Sequence, residues 1–278
     1  MIHTQPKRVL ILMSMNGGGH RSVAKAIERG LLSISDGDIA PTVVDLFAVG
    51  RRSLLDNLVG LYSPIIVNSP GLWAFVYHAA NGRRRFETLV KMAEPFLRQR
   101  VERLMAEHSP QVIVSVHPLT NHIITRLLGR GDSPVPLVSV LTDLVDVHAG
   151  WASRDSALCV APTAAAAEAL EIAGVRAESI LALGLPIGPR FGAVEEEVAE
   201  VRVSLGLLPH KFTVLVVGGS EGAGGIGRVV ESIGRSDLDA QVLVVCGKNE
   251  RLRRQLDESR YMPDGRVFGF VKNMPELM

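Results

Sequence analysis

Residues Val9–Leu32 read VLILMSMNGGGHRSVAKAIERGLL, three pieces of different character laid end to end. Val9–Met13 is a dense apolar run, long enough for a strand buried on both faces. Asn16-Gly17-Gly18-Gly19 follows; adjacent glycines cost backbone entropy and mark a turn that needs open φ values or close approach to its backbone. Val23, Ala24, Ile27 and Leu31 then recur at helical spacing. The stretch is therefore a strand, a glycine turn and a helix N-terminus, whose free N–H groups and dipole favour an anion or a developing negative charge. His20 stands at the mouth, where the dipole disfavours an imidazolium and a neutral ring can take a proton. A surface or helix-capping histidine is the plainer alternative. Gly17, Gly18 and Gly19 are adjacent, so the turn is not the Gly-x-Gly-x-x-Gly dinucleotide fingerprint.

Working outward, the same alternation of strand and helix runs along the chain. Pro41–Val49 predicts a second strand ending near Asp45. Gln111–Pro118 predicts one ending in His117, with Thr120, Asn121 and His122 just beyond, and Val135–Asp143 one ending in Thr142-Asp143. Ala157–Thr163, an alanine-rich helix to about Ala173 and Ile180–Pro186 complete the first half. Alternating strands and helices imply a parallel sheet, with ligands outside the carboxyl ends of its strands. His20, His117 and Asp143 all fall at such ends. Asp143, Asp146 and His148 also invite a metal, although a loop so short reads more simply as a polar turn.

A turn-rich connection and an acidic-started helix occupy 189–211. A second strand–glycine–helix unit opens at Phe212, with FTVLVVGGSEGAGGIGRVV, and is followed by strands at Gln241–Asn249 and Gly265–Val271. The expected domains are thus 1–188, a linker 189–211, and 212–278. Three strands are fewer than a doubly wound sheet usually holds. This predicts a chain that continues past Met278 and an apolar sheet edge left unpaired.

The chain has 278 residues, with Lys+Arg 30 against Asp+Glu 29, so no global charge points to nucleic acid. A hydrophobic content of 47% supports a large core. Cys159 and Cys246 lie in apolar runs and read as buried thiols of a reducing compartment. The opening MIHTQPKRVL leads straight into the first strand without a signal peptide. Leu58–Ala80 contains no charged residue, yet Pro64, Asn68 and Pro70 argue against a membrane span. Arg83, Arg84, Arg85, Lys91, Arg98, Arg100 and Arg103 follow. An uncharged patch carrying Tyr62, Trp73, Phe75 and Tyr77 beside a basic run suits a protein lying on an anionic bilayer; a core helix followed by a solvated one is the alternative.

MNGGGHRSVAKAI resembles the opening of monogalactosyldiacylglycerol synthases and bacterial processive diacylglycerol glucosyltransferases. SVHPLTNH, the Thr142-Asp143, His148 and Trp151 series, GLPIGPRF, GGSEGAGG, CGKNERLRRQL and GFVKNMPELM look like the same family, in the family's order and over essentially the whole chain. GGSEGA also looks like the nucleotide-sugar loop of the related enzyme that makes the peptidoglycan precursor lipid II. The resemblance implies an α/β GT-B glycosyltransferase with two Rossmann-like domains, the second incomplete here. It would move galactose or glucose from a UDP-sugar to diacylglycerol with inversion, at the cytoplasmic face of the membrane, as a peripheral protein without metal or other cofactor. By the same resemblance His20 is the general base, and Asp143 orients a histidine or the acceptor. Gly18, Gly19, Trp73, His117, His148 and Trp151 face the acceptor lipid. Gly219, Ser220, Glu221 and Gly222 face the diphosphate, where backbone N–H groups would stabilise the leaving UDP, and Phe270 and Val271 contact uracil. The family's later segment, which grips the sugar and ribose, is absent from these 278 residues, so they are expected to show little activity alone. Other readings are a non-catalytic peripheral membrane module and transfer to a polyprenyl-linked or other lipid.

Overall fold

The computed structural model describes residues 5–15, 18–48, 65, 67, 69–128, 135–192, 197–262 and 264–278. They fall into two compact units. One comprises the residues up to 48 with 74–188, the other residues 65, 67 and 69–73 with 189–278.

The first unit is built on β1 (Lys7–Met13), α1 (Gly18–Ile34) and β2 (Ile39–Asp45). In chain order there follow α2 (Pro70–Ala80, of which residues 74–80 belong to this unit), α3 (Arg83–His108), β3 (Val112–Ser115), α4 (Pro118–Leu128) and β4 (Leu137–Val140). A short 3-10 turn (Ala149–Trp151), β5 (Leu158–Ala161), α5 (Ala164–Ile172) and β6 (Ile180–Ala182) complete it. The six strands form one parallel sheet in the order β2-β1-β3-β4-β5-β6. β1 lies inside, with Val9 opposite both Pro41 and Val112. Its apolar run is continuous because each face of the sheet has its own core. Leu10 and Leu12 join Phe86, Val90, Leu97, Val101 and Leu104 of α3 and Ile123 and Ile124 of α4. Val9, Ile11 and Met13 join Val23 and Ala24 of α1. A third cluster packs α5 through Ala166 and Leu170 against Cys159, Ala161 and Trp151.

The α1 side of the sheet also carries an apolar trough of about 510 Å³, lined mainly by Val112, Val114, Val138, Val140, Val160 and Leu185. Lys7 and Val9 also line it, so it reaches toward the amino ends of the strands. The polar side chains sit at the other ends.

In the second unit come α6 (Val198–Ser204), β7 (Phe212–Val217), α7 (Ile226–Gly234), β8 (Ala240–Val245), α8 (Glu250–Asp257), β9 (Arg266–Phe268) and α9 (Met274–Leu277). The strands form a parallel sheet in the order β7-β8-β9, and among the described residues β7 pairs only with β8. Residues 189–211, expected as a linker, supply α6 and place Leu207 in this unit's core beside Leu243, Val245 and Leu277. Leu207 is drawn in because the buried Gln241 side chain holds the backbone on both sides of Leu208: its carbonyl accepts from Leu208 N–H and its amide donates to Leu208 O.

Both cysteines are buried and free, and burial pushes each thiol up to about 11. No helix of the described residues is long and apolar enough to cross a membrane. Residues 58–64, 66 and 68 of the uncharged segment lie outside the described residues; 70–80 are α2.

Candidate functional site

The carboxyl ends of β1, β3 and β4 bring the first site together. Asn16 and Gly17 lie outside the described residues. Helix α1 starts at Gly18, which puts His20 inside its first turn rather than at a cap. The His20 ring lies 4.9 Å from that of His117, edge to face, and 6.3 Å from Trp151. Phe47, just past β2, stands 4.9 Å from His117 on another side. Burial lowers the proton affinity of His20; contact with the Val116 carbonyl and the charge of Asp143 oppose it more weakly. Desolvation thus favours the neutral ring by more than these two contacts oppose it. His20 Nδ1 is buried and without a partner among the described residues, leaving a lone pair free to take a proton. His117 is pushed well below the ordinary histidine range, first by burial and then by its neighbour His20.

Gly19 follows a different logic. A Cβ there would meet nothing within 4 Å. A helical glycine costs about 0.5–1 kcal/mol relative to alanine, and no packing in this unit requires it. The space over Gly19 is open. Gly18 precedes it at the start of the same turn.

Asp143, His148 and Trp151 stand beyond this ring, on the loop after β4. Asp143 Oδ2 accepts the backbone N–H of His148 at 3.1 Å. His148 Nδ1 accepts from Gly150 N–H at 3.0 Å, and its ring also bonds to the Tyr77 carbonyl. His148 Nδ1 is thus engaged with backbone. Trp151 is 1% exposed and belongs to the core with Leu141 and Leu170. Expected as acceptor contacts, these two residues are buried in the wall, where the loop after β4 folds against α2 and α3. Helices α2 and α3 supply the partners: Tyr77 lies 4.8 Å from His148, and Phe86 lies 5.4 Å from it and 5.2 Å from His122. The Asn81 carbonyl oxygen accepts Ala149 N–H at 2.9 Å, and His122 Nε2 donates to the Gly150 carbonyl at 2.9 Å. A Cβ on Gly150 would run into the Phe86 ring, so this glycine is set by packing. Tyr77, Asn81 and Phe86 are distant in sequence and carried no signal. Trp73 falls within α2, and its side chain lies outside the described residues. Among the described residues no three histidine, cysteine or acidic side chains gather to hold a metal.

The second unit presents its own turn between β7 and α7. Gly219, Gly222, Gly224 and Gly225 all have positive φ, between 64° and 89°. A Cβ on Gly222 would strike the Cys246 carbonyl oxygen, whereas one on Gly219 would meet nothing. Gly222 is thus fixed by packing, while Gly219 faces free space. The turn is braced by the segment after β8: Lys248 N–H donates to Ser220 O at 2.9 Å, Asn249 Nδ2 donates to Gly222 O at 3.1 Å, and Lys248 Nζ pairs with Glu221 at 2.9 Å. The Ser220 hydroxyl reaches Glu221 at 3.4 Å. Helix α7 starts after Gly225 with no side-chain cap, which leaves N–H groups at its end for an anion. After β9, Phe270 is 59% exposed, while Val271 packs with Leu277 and Met274.

Residues 20–187 match the family described as Monogalactosyldiacylglycerol (MGDG) synthase. The chain belongs to the monogalactosyldiacylglycerol synthase family. The family match begins at His20 and ends one residue before the last of the first unit, so it covers that unit's site throughout. The chain is 32% identical to the monogalactosyldiacylglycerol synthase of Spinacia oleracea over 98% of its own length and 54% of the spinach protein; it spans about half the length of the curated relatives it matches. Among solved structures, Anabaena Alr3699/HepE in complex with UDP-glucose is similar at TM-score 0.52 and 14% identity, covering 97% of this chain and 71% of that one. UDP-GlcNAc 2-epimerase from Neisseria meningitidis, bound to UDP-GlcNAc, is similar at TM-score 0.54 and 10% identity, covering 96% and 74%. These likenesses establish the GT-B fold, which serves more than one chemistry.

Proposed function

We propose that this member of the monogalactosyldiacylglycerol synthase family transfers a hexose, galactose or glucose, from a UDP-sugar to diacylglycerol, with inversion and with His20 as general base. The observation that carries the reading is His20 itself: a desolvated ring whose Nδ1 has no partner among the described residues, edge to face with His117 at 4.9 Å. An alcohol is a poor nucleophile at neutral pH, and a positioned imidazole removes its proton as the bond to the sugar forms. Asp143 faces this ring and fixes the wall opposite it. In the second unit the turn at Gly219 and the uncapped end of α7 suit a diphosphate, whose charge they would stabilise as UDP leaves. The UDP-sugars bound in the solved structures of similar fold, and the spinach relative's name, favour this donor and acceptor.

The site works from a membrane surface in this reading. Helices α2 and α3 expose Leu72, Phe75, Val76, Leu89, Met92 and Phe96, with the arginines of α3 alongside. That combination favours peripheral binding to an anionic bilayer, at the cytoplasmic face.

The test is transfer of labelled hexose from UDP-galactose and UDP-glucose to dioctanoylglycerol, using protein expressed from its complete coding sequence. Product formed by the wild type and lost in His20→Ala, with calorimetric UDP binding retained, is the expected result. Transfer to other lipids but not to diacylglycerol would overturn the acceptor assignment.

A further inference from the structure

Helix α4 starts directly after β3, and His117, Thr120 and Asn121 are spaced i, i+3 and i+4, which sets their side chains on one face of its first turn. Helical bonding already runs through that turn, since Asn121 N–H donates to the His117 carbonyl at 3.3 Å. His117, at the start of this face, meets His20 at 4.9 Å. Thr120 and Asn121 are each 0% exposed. Yet among the described residues Thr120 Oγ1, both amide atoms of Asn121, and Nδ1 of His117 and of His20 have no hydrogen-bond partner. The next residue behaves differently: His122 is bonded to Gly150. Farther along the helix, Ile123 and Ile124 fill buried volume with apolar side chains. A buried amide with neither donor nor acceptor paired is costly and rare, and it signals a partner that the described residues do not themselves supply.

The chemistry of that partner follows from the set. It contains no formal charge, so an ionic ligand finds no counter-charge there. Asn121 offers two N–H donors and one acceptor, and Thr120 a hydroxyl that does either. The complement is a neutral group with a carbonyl acceptor close to a hydroxyl. A glycerol ester has both.

We propose that Asn121 and Thr120 form the polar floor of the acceptor site, where the Asn121 amide donates to an ester carbonyl of the acceptor while its free hydroxyl is presented to His20. This rests on the reading of diacylglycerol as acceptor and of His20 as base. Asn121 acts here as a binding and specificity residue and takes no part in proton transfer.

The test compares dioctanoylglycerol with its dioctyl ether analogue, which keeps the hydroxyl and lacks the ester carbonyls. Both are titrated into wild type and Asn121→Leu, with intrinsic tryptophan fluorescence as readout because Trp151 lies 6.3 Å from His20. Leucine fills a similar volume and removes the unpaired amide, so the melting temperature should hold or rise. Ester binding should weaken roughly three- to tenfold, the worth of one hydrogen bond. Ether binding should start weaker in the wild type and stay unchanged in the variant. Equal ester affinity in both proteins would overturn the proposal, since the amide would then be serving internal water. So would equal weakening for ester and ether. Collapse of the fold in Asn121→Leu would also overturn it, because the amide would then be holding the protein. If the wild type binds neither lipid, the acceptor reading itself falls, and this inference with it.

Discussion

His20 and Gly19 are neighbours with opposite demands, and each makes a prediction. His20 is desolvated, and its Nδ1 has no partner among the described residues. Replacing it by Asn keeps polarity and approximate size without the basic nitrogen; replacing it by Ala removes both. Either change should lower hexose transfer by roughly 100- to 10,000-fold, the usual worth of a general base. Initial rates at saturating donor and acceptor check this, and retention of more than about a third of the rate would make His20 a helix-end residue. Gly19→Ala should raise the melting temperature slightly, because a helical glycine gives way to alanine in open space. The same methyl should weaken dioctanoylglycerol binding; unchanged binding would mean that the space over Gly19 is solvent only. The helix that carries these two residues was legible in the sequence because its apolar residues recur at helical spacing just after an apolar strand. His148 and Trp151 were not legible as braces. The wall depends on Tyr77 and Phe86, which reach His148 from α2 and α3, and on Asn81 between those helices, which holds Ala149; nothing in the local pattern of residues 142–151 announces those partners.

Helix α3 shows how much an element's pattern reveals. Val90, Leu97, Val101 and Leu104 face the core, as helical spacing demands. Leu89, Met92 and Phe96 recur at three- and four-residue steps on an exposed face. From the sequence, α3 was notable for its basic charge, and the apolar stripe among its arginines was overlooked. Only the direction of the core shows which apolar residues are left outside. A bilayer contact should therefore have two parts. Anionic vesicles should sediment the protein, and raising salt should weaken that binding, each basic residue near the surface contributing on the order of 1 kcal/mol. Met92→Glu and Phe96→Glu together should reduce binding at high salt as well as low, without shifting the melting temperature, since both side chains are exposed. Equal binding by wild type and variant would remove α3 from the contact.

Across the whole first unit, burial keeps His20, His117, His122 and His148 on the neutral side of their ordinary value of 6.5. The unfolded chain binds protons at these four sites before the folded one does. Their contribution to stability is thus fully present above about 6.5 and is lost as pH falls below it. Urea midpoints at pH 7.5 and 5.5 should differ, with the lower value at 5.5; equal midpoints would show that these rings ionise without opening the fold. The parallel sheet itself was readable from its apolar runs, since strands buried on both faces need no alternation. Its strand order was not, because pairing is chosen by helices that cross over the sheet and not by the strands alone. That order has a consequence for synthesis. β1 is completed only when Val9 meets Val112. At about 5–20 residues per second, a ribosome releases that partner strand several seconds after β1 has emerged. Through that interval one of the most apolar segments of the chain has one edge unpaired. Yield of folded protein should therefore respond to elongation rate and to chaperone supply more than to the stability of the finished molecule.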